Sequence, residues 1–379
     1  MMESRQRVIT AMNLKTPDRV PLMCQFSLGF MMNQLKPDPV RMWYDMKTFA
    51  DGLMQLRETF RFDGILVSLH GHSDDWEKEV LRTEKIDAGR TILHFDDRTE
   101  EHSWVDLPVT HFFKPRVLKA IDDIDLDRDV PGEIDYIPVS GNLYFRLDSK
   151  NMYSVFDYIY DRVGDQFSIH GEITSPFDYF LDLLGYENAL MALMLEPEKC
   201  KQIIARFAEG VKKIAVGMCA KNIDAIKISS PFAGMGFISP EFYADFVMPY
   251  EREIITAIRG LGKHVYIHTC GHIGDRLELM CESGASGLEC LDPEPVGNVD
   301  LADAFRRIGD RMFIKGNIDS VHTLLAGDDE KVRNDVGKII ETGKTKGNGF
   351  ILSTACSIAP LVTKERILML SDLITEHKR

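Results

Sequence analysis

The sequence predicts an α/β fold, a closed (β/α)8 TIM barrel, and three observations carry that expectation. Short apolar or β-branched runs alternate with helical patterns along most of the 379 residues. Eight such runs can be counted, where an open doubly wound sheet more often shows about five or six. Most of the runs end on residues able to do chemistry, as barrel strands do at the face that carries the active site. Finally, the alternation breaks over one long stretch only, so residues 1–379 read as a single barrel domain with an irregular, β-hairpin cap inserted at about 74–161, after the second strand.

Taken in order, Ser4 to Asn13 has the pattern of a short helix that stops ahead of Thr16-Pro17-Asp18-Arg19, because proline disfavours a helical predecessor. Val20–Gln25 is the first strand candidate, Met46–Phe60 the first long helix, and Gly64–Leu69 a buried strand running into His70-Gly71-His72. Within the cap, Thr91–Phe95, Trp104–Leu107 and Tyr144–Leu147 mix polar with aromatic or β-branched residues between Pro and Gly punctuators, as hairpins do. The remaining strand candidates are Phe167–Glu172, Ala225–Ser230, His264–Cys270, Ser286–Leu291, Met312–Asn317 and Gly349–Thr354. Helical patterns separate them at 196–220, 239–260, 273–283, 300–307, 328–346 and 363–377, with Ser239-Pro240-Glu241 a typical opening.

Composition narrows the function classes. A net charge of −14 with no clustered Lys and Arg argues against a nucleic-acid partner. No apolar run reaches the roughly 20 residues a membrane helix needs, so no membrane association is expected. Seven cysteines, an odd number in a long chain, do not suggest a disulfide framework, and the start has no signal-type segment. These features fit a cytoplasmic protein whose cysteines are thiols or ligands.

The polar strand ends single out one stretch. In a strand, residues i and i+2 share a face, so His268 and Cys270 can present a nitrogen and a sulfur to one point, which is half of a zinc site. Cys356, just past the last strand, would complete three protein ligands around an open position. The competing view is a hydrogen-bonded strand-end histidine beside inert buried thiols, and Cys24, Cys200, Cys219, Cys281 and Cys290 are read that way, as core packing. His272 follows a glycine where a helix should start and is read as a cap. Two carboxylates are candidate catalytic groups. Glu172 could be an acid/base group, the partner of a ligand, or the cap of the next helix; Asp292, like Glu289, could be a fourth ligand or the carboxylate that orients His268. His70, His72 and Asn317 are candidate substrate contacts, with an exposed loop or a Gly-Asn turn as the plain alternative.

With those residues in view, the chain resembles the uroporphyrinogen decarboxylase superfamily, and within it the zinc-dependent, corrinoid-linked methyltransferase branch. The resemblance rests on Arg7-x-x-x-Ala11-Met12, Thr16-Pro17-Asp18-Arg19-Val20-Pro21, the segment from Ser239 to Tyr250, His268-Thr269-Cys270-Gly271, Lys315-Gly316-Asn317 and Ala355-Cys356-Ser357-Ile358-Ala359-Pro360. It implies that His268, Cys270 and Cys356 bind Zn2+, and that a methyl group moves between a small methylated compound and a corrinoid carried by a partner protein. The decarboxylases lack a metal and hold their substrate with N-terminal arginines, and Val20–Gly29 contains none. Aromatics in the cap (Trp76, Phe95, Trp104, Phe112, Phe113, Tyr136, Tyr144, Phe145) tilt the expected donor toward a methoxylated aromatic. Transfer from a methylcorrinoid to a thiol, and a metal-free decarboxylase-like lyase, are the alternatives. A homo-oligomer is compatible with either.

Overall fold

The structure, a computed structural model, describes residues 2–140 and 143–377. After the helices Ser4–Met12, Leu28–Leu35, Pro39–Tyr44 and Met46–Phe60 comes the first strand of the main sheet, β1 (Gly64–Val67). A four-stranded antiparallel sheet follows, made of β2 (Arg82–Asp87), β3 (Arg90–His94), β4 (Arg98–Ser103) and β5 (Val109–Phe112), and then a hairpin of β6 (Tyr136–Ser140) and β7 (Leu143–Arg146). The main sheet resumes with β8 (Ser168–Thr174), β9 (Ala225–Ser229), β10 (His264–Thr269), β11 (Gly287–Cys290), β12 (Phe313–Ile318) and β13 (Phe350–Thr354), in the order β1-β8-β9-β10-β11-β12-β13. All its ladders are parallel, and β1, β11, β12 and β13 are buried along their whole length, as strands covered on both faces must be.

The expected strand Val20–Gln25 occupies the eighth position but does not form a regular ladder. Leu22 bridges Leu352 of β13, with Met23 N–H donating to the Leu352 carbonyl at 3.0 Å and Leu352 N–H to that of Pro21 at 2.9 Å. On the other side, Asp63 N–H reaches the Leu22 carbonyl at 2.7 Å, which closes the barrel toward β1. Pro21 has no N–H to give, and the Leu22 N–H is taken by the Asp63 carboxylate at 2.9 Å. The same carboxylate, fully buried, accepts from Arg7 at 2.6 Å and from Arg19 at 2.8 and 2.9 Å. A charge clamp replaces a ladder.

Two other boundaries differ from the sequence reading. The single helix expected over 239–260 is two, Pro240–Phe246 and Met248–Gly260, because Pro249 removes a donor from the turn that would join them. The stretch read as cap ends in the helix Ser154–Val163, which packs on Met46–Phe60 as a barrel crossover helix should.

Inward-facing side chains at the lower end of the strands, Met23, Leu66, Ala225, Tyr266, Phe313 and Ile351, pack against Val8, Ala11 and Met12 of the first helix. That helix plugs the N-terminal end of the barrel. The C-terminal end is left as the mouth. No helix among the described residues is long and apolar enough to cross a membrane.

Candidate metal centre

β10 sets the site by its alternation. Tyr266 lies in the plug below, His268 points the same way one step higher, and Cys270 follows just past the strand end. His268 Nε2 lies 3.3 Å from Cys270 Sγ, and Cys270 Sγ lies 3.9 Å from Cys356 Sγ. A fourth donor is one that sequence patterning assigned to the core: His268, Cys270 and Cys290 offer ligand atoms all within 4.8 Å of one another. Cys290 is indeed buried, but its thiol faces the cluster.

The donor set fits zinc. Tetrahedral bonds of about 2.0–2.3 Å put neighbouring nitrogen and sulfur ligands about 3.5 Å apart, and two sulfurs about 3.8 Å apart. The observed 3.3 and 3.9 Å are edges of that size. Cys356 is exposed whereas Cys290 is buried, so the cluster has an inner and an outer thiol beside the shared Cys270.

Electrostatics act the same way. Hydrogen bonds from the Cys290 and Cys356 thiols, with the His268 charge, hold Cys270 far below the usual thiol range. Burial and the Cys270 thiolate push Cys290 up; the hydrogen bond to Cys270, with burial, does the same to Cys356. Burial and Lys227 oppose a charge on His268, but Cys270 and Glu289 prevail and raise it to about 9. The shifts favour a thiolate at Cys270 paired with a charged His268.

Beneath them lies a buried ionic network. Glu289 accepts from His268 Nδ1 at 2.9 Å, fixing the ring so that Nε2 faces the thiols, the usual arrangement behind a ligating imidazole. Glu289 also pairs with Lys315, and at 3.6 Å with Lys227. Burial works against its ionisation, yet Lys315, Lys227 and His268 hold it well below the usual carboxylate range. Lys227 in turn meets Glu172 at 2.8 Å and Gln25 at 2.6 Å, and Lys315 reaches Ser353 at 3.1 Å. Both lysines interrupt apolar strands, Ile226-Lys227-Ile228 and Ile314-Lys315, and that interruption was the available signal for them.

The other expected residues are placed as follows. Glu172 is committed to Lys227 and lines a cavity of about 430 Å³ at the mouth, together with Gln25, Thr174, Ser229 and Ser357. Asp292, raised by burial, accepts from Gly271 N–H at 2.7 Å and from the Cys290 thiol at 3.1 Å, so it anchors the turn after Cys270 while Glu289 takes the part of orienting His268. Gly271 sits at φ +75, which glycine adopts without strain. Cys290 and Leu291, at φ +84 and +55, have no such freedom; residues held so cost about 1–3 kcal/mol each and cluster at functional sites. Asn317 Nδ2 donates to the Leu291 carbonyl at 3.0 Å and so braces that turn. His70 is buried with each ring nitrogen on a backbone carbonyl, of Met152 at 3.1 Å and Glu172 at 3.3 Å. His72 lies in a separate cavity of about 280 Å³ in the cap, where Tyr44 stacks on Trp76, and that cavity, not the mouth, collects Phe95, Phe112 and Tyr144. Neither His272 nor Cys356 belongs to the group of mutually close donors, although Cys356 adjoins it through Cys270.

A parallel α/β barrel that gathers nitrogen and thiol donors at its C-terminal mouth defines the class as a TIM-barrel protein. The chain belongs to the uroporphyrinogen decarboxylase family, whose model, described as "Uroporphyrinogen decarboxylase (URO-D)", matches residues 144–377. A methylcobamide:CoM methyltransferase MtaA from Methanosarcina barkeri is 25% identical over 237 residues, 62% of this chain and 66% of that protein. A methylcobamide:CoM methyltransferase MtbA from Methanosarcina acetivorans is 24% identical over 227 residues, covering 58% of this chain and 61% of its own length. A uroporphyrinogen decarboxylase from Chloroherpeton thalassium is 24% identical over 212 residues, 55% and 58% of the two chains. The matched stretch thus spans less than two thirds of each relative. Among solved structures, a methyltransferase from Methanosarcina mazei superposes over 100% of both chains with a TM-score of 0.73 at 18% identity, which shows the shared fold.

Proposed function

We propose that the protein is a zinc-dependent methyltransferase that moves a methyl group between a small methylated compound and a corrinoid held by a partner protein. The observation that carries this is the group of His268, Cys270 and Cys290, whose ligand atoms lie within 4.8 Å of one another, with Cys356 Sγ 3.9 Å from Cys270 Sγ and Glu289 behind His268. His268, Cys270 and Cys356 are the proposed ligands, with Cys290 the inner thiol able to join or replace one of them. A zinc ion there would supply a Lewis acid for the heteroatom that carries the methyl group, or stabilise a thiolate acceptor. Glu289 would keep the His268 Nδ1 proton and leave Nε2 free to ligate. Lys227 and Lys315 balance Glu289 and Glu172, so the network adds little net charge under the site.

The family's two chemistries are separated by the mouth. A decarboxylase acting on a many-carboxylate tetrapyrrole needs cations at the walls, and the residues lining the mouth cavity, among them Phe26, Leu28, Met31, Phe49 and Leu107, include no arginine or lysine. A wall that mixes apolar side chains with hydroxyls and the carboxylates of Asp106 and Glu172 suits a neutral donor better than an anion, and O-demethylation of a methoxylated aromatic is the favoured direction. Transfer to a thiol is the second reading, favoured by the relatives named for CoM. Metal-analysed protein incubated with reduced corrinoid and a panel of methoxyarenes, methylamines, methanol and methyl thiols separates them through the corrinoid spectrum. Methylation by methoxyarenes alone supports the first direction. Activity confined to methylcorrinoid plus thiol supports the second, and full activity without zinc removes both.

A further inference from the structure

Beside the mouth cavity lies a second one of about 380 Å³, sharing Pro138, Val139, Thr174 and Ser229 with the first. Asp178 lines it. This residue is 6% exposed, and neither of its carboxyl oxygens has a hydrogen-bond partner in the structure. A buried polar group without a partner is costly and rare in a folded protein, and where one survives it is kept for a reason other than the fold. Ser175 caps the helix Pro176–Leu184, and its hydroxyl donates to the buried Glu251 at 2.9 Å, so the turn that carries Asp178 is held from below.

The surroundings indicate what would pair with it. Tyr186 and Phe232 meet edge to face at 4.8 Å on the cavity wall, opposite the apolar Pro138 and Val139. The charged residues there, Arg116 and Asp182, already pair at 3.2 Å, with Tyr144 bonding Asp182 at 3.0 Å. Burial, with the nearby Glu251, raises the Asp178 carboxyl well above the usual carboxylate range, which favours a neutral hydrogen-bonding partner over a cation. About 150 Å³ suffices to hold benzene, and this space takes a substituted ring. Register also links it to the metal strand. Thr174 pairs with Ser229, and Ser229 with His268, two strand spacings or roughly 10 Å away, so the cavity that holds Asp178 opens beside the strand that carries the metal donors.

We propose that this cavity binds the ring of an aromatic methyl donor and that Asp178 recognises a hydroxyl group on the part of the ring remote from the reacting methyl. The assignment deepens the methyltransferase reading and rests on it for the word donor, but it concerns binding alone and is testable without turnover. Calorimetric titration of the zinc-supplemented full chain with 4-methoxyphenol, anisole and tetramethylammonium, in the absence of corrinoid, is the experiment. The phenol is expected to bind about tenfold more tightly than anisole, the worth of one net hydrogen bond. That ratio should fall to about one in Asp178→Leu and be partly kept in Asp178→Asn. Equal affinity of the wild type for phenol and anisole would overturn the proposal, as would tightest binding of tetramethylammonium. A lower melting temperature in both variants with the preference unchanged would make Asp178 a structural residue and equally overturn it. Methyl transfer without the preference would sink only this inference; the preference without methyl transfer would sink only the function.

Discussion

The thiols of the cluster differ in depth, and that difference makes single substitutions informative. Cys270 is shared by every close contact, so Cys270→Ser is expected to abolish stoichiometric zinc binding, read by metal analysis after dialysis. Glu289→Ala removes the acceptor of His268 Nδ1, and loss of such a partner typically costs about 10–100-fold in metal affinity, measurable by competition with a chromophoric chelator. The same titration should depend on pH. His268 holds its proton up to about 9, so a metal must displace it, and zinc affinity falls as pH is lowered from 9 toward 6. A flat profile would mean that His268 is not a ligand. Legibility differed from residue to residue for physical reasons. His268 and Cys270 could be read because period-two alternation on a strand puts both on one face. Cys290 could not, because the alternation that turns Glu289 inward turns its neighbour outward, and only the left-handed backbone at Cys290 reverses this. Asp178 was hidden by its position in the first turn of a helix, where a carboxylate needs no further explanation.

At the level of elements, the barrel is closed by a clamp and floored by buried acids. Removing Asp63 would leave Arg19 without its carboxylate, leave Arg7 with Asp18 alone and free the Leu22 amide, so Asp63→Ala should cost about 3–5 kcal/mol in denaturant unfolding. Glu251, on the helix Met248–Gly260, is pushed by burial from its ordinary 4.5 to about 7. The folded state therefore binds this proton more tightly than the unfolded chain. Its contribution is complete below about pH 4.5 and declines as pH rises to about 7, by about 3 kcal/mol. Glu251→Gln should flatten that part of the stability curve, compared with wild type by denaturant midpoints at pH 5 and pH 8. Seven of the eight strands were readable because strands buried on both faces are continuous apolar runs. The eighth was readable in place but not in form, since the capture of its amide by a carboxylate 41 residues away leaves no local trace. The break at Val247 was signalled by Pro249 and outweighed by the apolar periodicity on either side.

For the whole molecule, the plug formed by the first helix and the cap between β1 and β8 assign the two ends of the barrel different work. The lower end is sealed by apolar packing, while the mouth gathers Glu172, Ser229, the thiol cluster and two adjoining cavities under the β6–β7 hairpin. The cap's aromatics were visible in the sequence, but their destination was not, because the folding of the cap brings half of the eight, Trp76, Phe95, Phe112 and Tyr144, to a cavity away from the metal strand. The thiol cluster is proposed to hold the zinc on which methyl transfer depends. The most direct measurement is the absorbance of a reduced corrinoid, with its carrier protein, mixed with a methoxyphenol and the zinc-loaded chain. Conversion to the methylated corrinoid is expected, lost on chelation and in Cys270→Ser and restored by zinc only in the wild type. Equal conversion by metal-free protein or by Cys270→Ser would contradict it.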